Sequence, residues 1–290
     1  MKDYLMIILA TILLAVDFSF AKVYQKKAGS SIVAGLFFNA VASVCSTIYF
    51  WCLNGFSFAY SHFSFLMGFG ASLLITLYSL IRFKILKTGN LAICTLFLMA
   101  GGMTVPYIWG LIFLDETFSI LRTVGLIAIF ASMVLSNSGE ARPDKKQLLL
   151  CSAIFVLNGF VSVLFKMHQI DTTHHAVGTT EFSLLNSVAK MIFCFPMLFI
   201  YQAKSKEKEP LPKLGSVLPV IIGSVLIAGL SSILQLNGAK NLPATVLYPI
   251  ITGGSIIFTG FASMLAFREK LSSRQWAGII LCFIGTCMFL

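Results

Sequence analysis

Charge is scarce in this chain, and negative charge scarcest: 11% of its 290 residues are Asp, Glu, Lys or Arg, with 11 acids against 21 bases. Soluble domains carry roughly 25% charged residues. With 58% hydrophobic residues as well, a water-soluble globule is excluded. Long polar stretches are missing too. The loops reach only about a dozen residues, too few to present a basic groove to nucleic acid, so the excess positive charge belongs to membrane orientation. The sequence has no phosphate-cradling Gly-rich loop before a Lys-Ser/Thr pair and no nucleophile with an oriented base. No CxxC spacing occurs among Cys45, Cys52, Cys94, Cys151, Cys194, Cys282 and Cys287, which read as free thiols buried in apolar segments. His168, Asp171, His174 and His175 fall in a short polar loop after the sixth apolar run, without the fixed frame a metal site needs. No metal, cofactor or nucleic-acid partner is expected.

Long apolar runs are what the chain has in plenty. They lie near 4–21, 32–53, 63–81, 91–114, 119–137, 148–165, 182–201, 216–236, 244–267 and 272–290. About 18 such residues cross a hydrocarbon core of roughly 30 Å. The strands of a membrane β-barrel would alternate apolar and polar residues, whereas these runs are apolar on every face. The expected fold class is all-α, a polytopic membrane protein of ten transmembrane helices. Lys2 before the first run and Ser19-Phe20-Ala21 within it also fit a cleaved signal peptide, but an internal repeat favours a retained helix.

Sliding the chain along itself brings five local matches into the same order. Lys22-Val23-Tyr24-Gln25 faces Lys166-Met167-His168-Gln169, and Asn39-Ala40-Val41-Ala42 faces Asn186-Ser187-Val188-Ala189. Gly101-Gly102 faces Gly253-Gly254, and Leu114-Asp115-Glu116-Thr117-Phe118-Ser119 faces Phe267-Arg268-Glu269-Lys270-Leu271-Ser272. Each of the two glutamates is followed by a glycine at the same distance, Gly125 and Gly278. The expected units are residues 1–137, a linker at 138–147 and residues 148–290. Five crossings per half is an odd number, so the second half enters from the opposite side and the halves form an inverted repeat. That is the geometry of a carrier whose central site opens to one side and then to the other, an expectation on fold grounds alone.

The Glu-containing turns after helices 4 and 9, set in a five-plus-five duplication, resemble the drug/metabolite transporter superfamily and its ten-helix EamA-like members over essentially the whole chain. Glu116 and Glu269 stand at the family's Glu position and Ser119 and Ser272 at its hydroxyl position, while Asp115 and Arg268 replace the usual glycine. The resemblance implies a secondary carrier of small metabolites, amino acids or drugs. Relatives are often drawn with both ends in the cytoplasm. Here sixteen of the 21 Lys and Arg fall on the odd-numbered loops, four (Lys2, Arg122, Lys166, Lys240) on the other side, and Lys190 inside a span. The positive-inside rule therefore places the odd loops in the cytoplasm of a cell membrane and both ends outside.

Candidate substrate contacts are the polar groups that hydrocarbon tolerates least. Asp17 and Lys190 are the two clearest intramembrane charges, and such groups face a bundle interior, water or each other. A pair between them would suit a zwitterion. Asn39 and Asn186 are repeat-related amides, which also serve as bridges between helices. Tyr107, Trp109 and Tyr248 flank the interrupted helices, where Gly101, Gly102, Pro106, Pro249, Gly253 and Gly254 permit bending or close packing. Glu116 and Glu269 suit turn and cap positions or a gating contact, and Ser272-x-x-Gln275 has capping-box spacing. These features favour a secondary-active, alternating-access transporter of small organic metabolites, amino acids first and sugars or cationic drugs as alternatives, rather than an enzyme. The rival is a membrane-embedded enzyme for lipid-linked substrates, which would need clustered acidic, His or Arg groups. The expected partners are a small-molecule substrate and the lipid bilayer, with room left for a coupling proton or ion at Asp17 and for a homodimer.

Overall fold

The structure, a computed structural model, describes residues 2–29, 31–86, 91–136, 145–204, 210–268 and 271–290. Ten α-helices and no strand occur among them: α1 (Lys2–Ala28), α2 (Ile32–Leu53), α3 (His62–Leu86), α4 (Leu91–Phe113), α5 (Ile120–Ser136), α6 (Lys145–Ile170), α7 (Thr179–Lys204), α8 (Leu214–Asn241), α9 (Ala244–Phe267) and α10 (Ser273–Cys287). The order and number match the apolar runs. Residues 138–144 of the expected linker lie outside the described residues, and 145–147 already belong to α6.

Eight of the helices are long and apolar enough to cross a membrane. The other two, α5 with 17 residues and α10 with 15, reach only about 26 Å and about 23 Å at 1.5 Å per residue. They pack on each other. A Cβ at Gly125 would meet the Gly285 carbonyl, and one at Gly278 would meet the Ser132 carbonyl, so the two backbones approach as closely as small residues allow.

Around them α1 packs on α8 and α9, and α6 packs on α3 and α4. Helix α2 lies against α7 and α8, α3 against α7, and α4 against α9. The largest buried cluster draws Ile7, Met103, Ile129, Leu247 and Ile250 from four helices. Many large apolar side chains point outward instead, Leu265 and Ile120 being 80% and 74% exposed, as a lipid-facing surface requires.

Helix ends are satisfied locally. Ser31 accepts from the Ala34 amide at 3.1 Å to start α2. At α10 the expected box is present in both directions: the Gln275 amide donates to Ser272 Oγ at 3.3 Å, and the Ser272 amide donates to Gln275 Oε1 at 2.8 Å. The thiols are all free, but not all buried as expected: Cys94, Cys151, Cys194 and Cys282 are enclosed, Cys45 is half-buried, and Cys52 and Cys287 are exposed. In a membrane an outward thiol meets lipid, so an apolar setting in the sequence does not imply burial in protein.

Candidate functional site

Asp17 lies on α1 and takes a short hydrogen bond from the Ser224 hydroxyl of α8. Ser224 is buried and Asp17 half-buried. Lys190 lies half-buried on α7, which packs on α8, and among the described residues it makes no direct ion pair with Asp17. Helices α1 and α8 thus bring an acid and a hydroxyl together, and the neighbouring α7 carries the ammonium. Asn186, one turn before Lys190 on α7, bridges to α3: its Oδ1 accepts from Ser72 Oγ at 2.8 Å and its carbonyl from the same hydroxyl at 3.0 Å. Its counterpart Asn39 is half-buried on α2, a helix packed on both α7 and α8.

The aromatic candidates are tied into the frame. Tyr107 shares a 2.9 Å hydrogen bond with Thr123 of α5. Tyr248 donates to the Ser162 carbonyl of α6 at 2.5 Å. Trp109 packs on Phe113 in a tilted arrangement with ring centroids 4.2 Å apart, and its buried indole N–H has no partner among the described residues. Pro106 and Pro249 sit inside α4 and α9, where each removes the hydrogen bond to the carbonyl four residues earlier. The paired glycines lie at helix contacts: a Cβ at Gly101 would strike the Phe155 backbone, one at Gly102 the Asn158 amide, one at Gly253 the Thr286 hydroxyl and one at Gly254 Thr11. Gly101 and Gly102 thus seat α6 on α4. Gly253 and Gly254 seat α10 and α1 on α9.

Glu116 closes the turn after α4, but it serves a different helix from the one that follows it. Its Oε1 accepts from the Ala244 amide at 2.6 Å and its Oε2 from the Thr245 amide at 2.8 Å. Helix α9 has Pro243 as N-cap and no side-chain cap of its own, so the carboxylate satisfies two N–H groups at the positive end of that helix. Glu269 lies outside the described residues.

Two polar groups missed at the sequence level complete this end of the bundle. Lys166, expected at a loop, is 4% exposed within α6 and donates to the Ala239 and Leu242 carbonyls, both at 2.7 Å, at the negative end of α8. His168, also expected in the loop, is a buried helical residue stacked on Phe182 at 3.7 Å between ring centroids. Its Nε2 lies 2.9 Å from Ser64 Oγ and its Nδ1 3.0 Å from the Gln169 amide, while Thr179 lies 3.2 Å from Gln169 and 2.9 Å from Asn237. This chain joins α3, α6, α7 and α8. A charged residue ended the sixth run on paper, whereas the helix continues one further turn because these side chains find partners inside it. Among the described residues no cluster of His, Cys, Asp or Glu could hold a metal ion.

Ten helices among the described residues, eight of them long and apolar enough to span a bilayer, with the Lys166 ammonium turned inward rather than to lipid, define a multi-pass membrane protein. The chain belongs to the EamA-like transporter family, whose model matches residues 146–290. Twenty-eight solved chains match as well, among them a crystal structure that covers 99% of this chain and 97% of its own at 15% identity, with a TM-score of 0.74. At that identity the likeness is one of fold alone. No curated protein matches the chain.

Proposed function

We propose that the chain is a secondary-active carrier of small organic solutes bearing both charges, amino acids foremost, and that Asp17, Ser224 and Lys190 bind the solute between two inverted halves. The observation that carries this reading is the separation of the two intramembrane charges. Each is half-buried on a helix packed against α8, and among the described residues neither neutralises the other by direct contact. Two opposed charges in a low-dielectric setting are costly unless something bridges them. A zwitterion, offering an ammonium to Asp17 and a carboxylate to Lys190, is such a bridge. Asn39 lines the same group of helices. Asp17 is also the carboxylate placed to take a coupling proton or ion.

The repeat is supported by reciprocal contacts. Gly125 faces Gly285 and Phe289, while Gly278 faces Ser132 and Ser136; the shift that carries Gly125 onto Gly278 also carries Ser132 onto Gly285 and Ser136 onto Phe289. Such exchange of partners is the mark of a twofold relation. The same shift carries Asp115 onto Arg268, and both have left-handed backbone, with φ of 51° and 53°. Helix neighbours follow suit: α1 on α8 and α9 corresponds to α6 on α3 and α4. The family match over 146–290 coincides with the second proposed half, 148–290. With odd-numbered loops in the cytoplasm, the seal made by Glu116, Lys166 and His168 lies on the outer side, and alternating access would require it to open.

Reconstitution of the purified full chain in liposomes, with counterflow screened across amino acids, sugars and cationic drugs, tests the reading. Amino-acid exchange is expected, with D17N and K190M each lowering it at least about tenfold and the double variant no worse than either single one. Additive losses would overturn the joint site. Folded protein inactive toward every solute would overturn the carrier itself.

A further inference from the structure

A hollow among the described residues lies away from the charged pair. It is a half-open crevice of about 470 Å³ between α1, α9 and α10, lined among others by Ile8, Ile257, Phe261, Trp276, Ile280 and Phe283. Its lining is wholly apolar. Even its two threonines turn their hydroxyls away, Thr11 to the Ile8 carbonyl at 2.7 Å and Thr286 to the Cys282 carbonyl at 2.8 Å, so that they present methyl groups. A zwitterion would find no partner here. Ile280 and Phe283 are 55% and 58% exposed at its edge, which places the opening on the lipid-facing side of spanning helices.

One end of the crevice leads to positive charge. The Phe261–Trp276 ring contact, 6.3 Å between centroids, forms a lip. Six residues further along α9, about 9 Å at helical rise, stands Phe267, with the Lys22 and Lys26 ammonium groups 4.4 and 4.8 Å from its ring centroid. Arg268 follows as the exposed C-cap of α9. An aromatic lip with cations just beyond it reproduces the order of a bilayer leaflet from acyl chain to headgroup phosphate. The basic rim also falls on the side that the charge count assigns to the cytoplasm, where anionic lipids concentrate.

We infer that this crevice is a binding site for one acyl chain of an anionic phospholipid whose phosphate lies against Lys26 and Arg268. The apolar lining selects the chain and excludes a polar solute; the cations select the headgroup. The site stands on its own geometry, whether or not Asp17 and Lys190 bind a solute.

Trp276 is the built-in reporter, since only Trp51 and Trp109 need replacement by Phe to leave it as the sole tryptophan. In vesicles of mixed phosphatidylcholine and phosphatidylglycerol, with bromine on the acyl chains of one lipid or the other, brominated phosphatidylglycerol is expected to quench Trp276 at least about fivefold more effectively at equal mole fraction, the gain that a single basic residue near the phosphate would give. K26Q/R268Q should bring the two lipids level, and I280F should weaken quenching by both. Equal quenching in the parent protein, or a preference that survives K26Q/R268Q, overturns the site. Should the tryptophan replacements not fold, native mass spectrometry of the otherwise unaltered chain reads the same question. One phosphatidylglycerol retained through detergent exchange and lost in K26Q/R268Q supports the site, and equal retention of phosphatidylcholine overturns it.

Discussion

Asp115 and Arg268 occupy the turn position where relatives commonly carry glycine, and both have taken up the left-handed backbone that glycine adopts most easily. Asp tolerates that region better than Arg, because a short polar side chain can bond to its own turn. R268G should therefore raise stability by about 1 kcal/mol, the left-handed penalty outweighing the freedom gained by the unfolded chain, and D115G should raise it by less. Thermal melting in detergent measures both, and a lower melting temperature for R268G would mean that the arginine side chain holds a contact worth more than the strain. A second residue-scale expectation concerns the loop after α6. The His174 ring lies 2.7 Å from Asp171 Oδ1, and the His174 amide donates to Oδ2 at 2.9 Å. These bonds, the ring's foremost, hold the Asp171 carboxyl down to about 2. A depressed carboxylate contributes to folding above its unfolded value of ~3.9, and that contribution is lost as pH falls through about 2. Carboxyl carbon resonances should give a midpoint near that lower value in the parent protein and a higher one, still below the unfolded value, in H174A, which keeps the amide bond; an unmoved midpoint would show that the ring is not the cause.

Elements in this fold are finished by residues from elsewhere in the chain. Helix α9 starts at a proline with no cap of its own, and its first two amides are met by Glu116 from the turn after α4. E116A should cost about 1–2 kcal/mol, as lost caps do, and E116Q less, since one amide oxygen remains to accept a single bond. A melting temperature unchanged in E116A would show that water caps α9 equally well. This long-range service also marks the limit of what the sequence revealed. The apolar runs announced all ten helices, and Ser272 with Gln275 announced a cap, because those signals are local. The repeat of Glu116 and Glu269 suggested a cap but not its target, since nothing near Glu116 names α9. Lys166 and His168 were placed in a loop for a related reason. Charge and imidazole read as an end to hydrophobicity, and only the carbonyls of α8 and the hydroxyl of Ser64, distant in sequence, make those side chains compatible with a buried turn of helix. Ser224 gave no signal at all, because one hydroxyl in an apolar helix usually serves its own backbone.

Across the whole molecule, one end of the bundle is tied by a set of buried polar contacts. At the end formed by the starts of α7 and α9 and the finish of α6 and α8, Glu116, Lys166 and the His168 chain knit helices together, and Asn241 donates to Asp3 at 3.0 Å. At the opposite end Lys22 and Lys26 rest on Phe267, and Lys27 donates to the Ser216 carbonyl at 3.4 Å. In the proposed carrier access to one side is blocked while the other is free to open, and the knitted end is the one whose contacts would have to break. Which side is which depends on orientation, and here the charge count makes a definite claim against the arrangement usually drawn for relatives. In a chain whose native cysteines are replaced, T172C in the exposed loop before α7 should react with a membrane-impermeant maleimide on intact cells, whereas L211C before α8 should react only after the membrane is opened. The reverse pattern would put both ends in the cytoplasm. It would make the knitted end the cytoplasmic one and put Glu116 and Lys166 on the inner side of the proposed carrier.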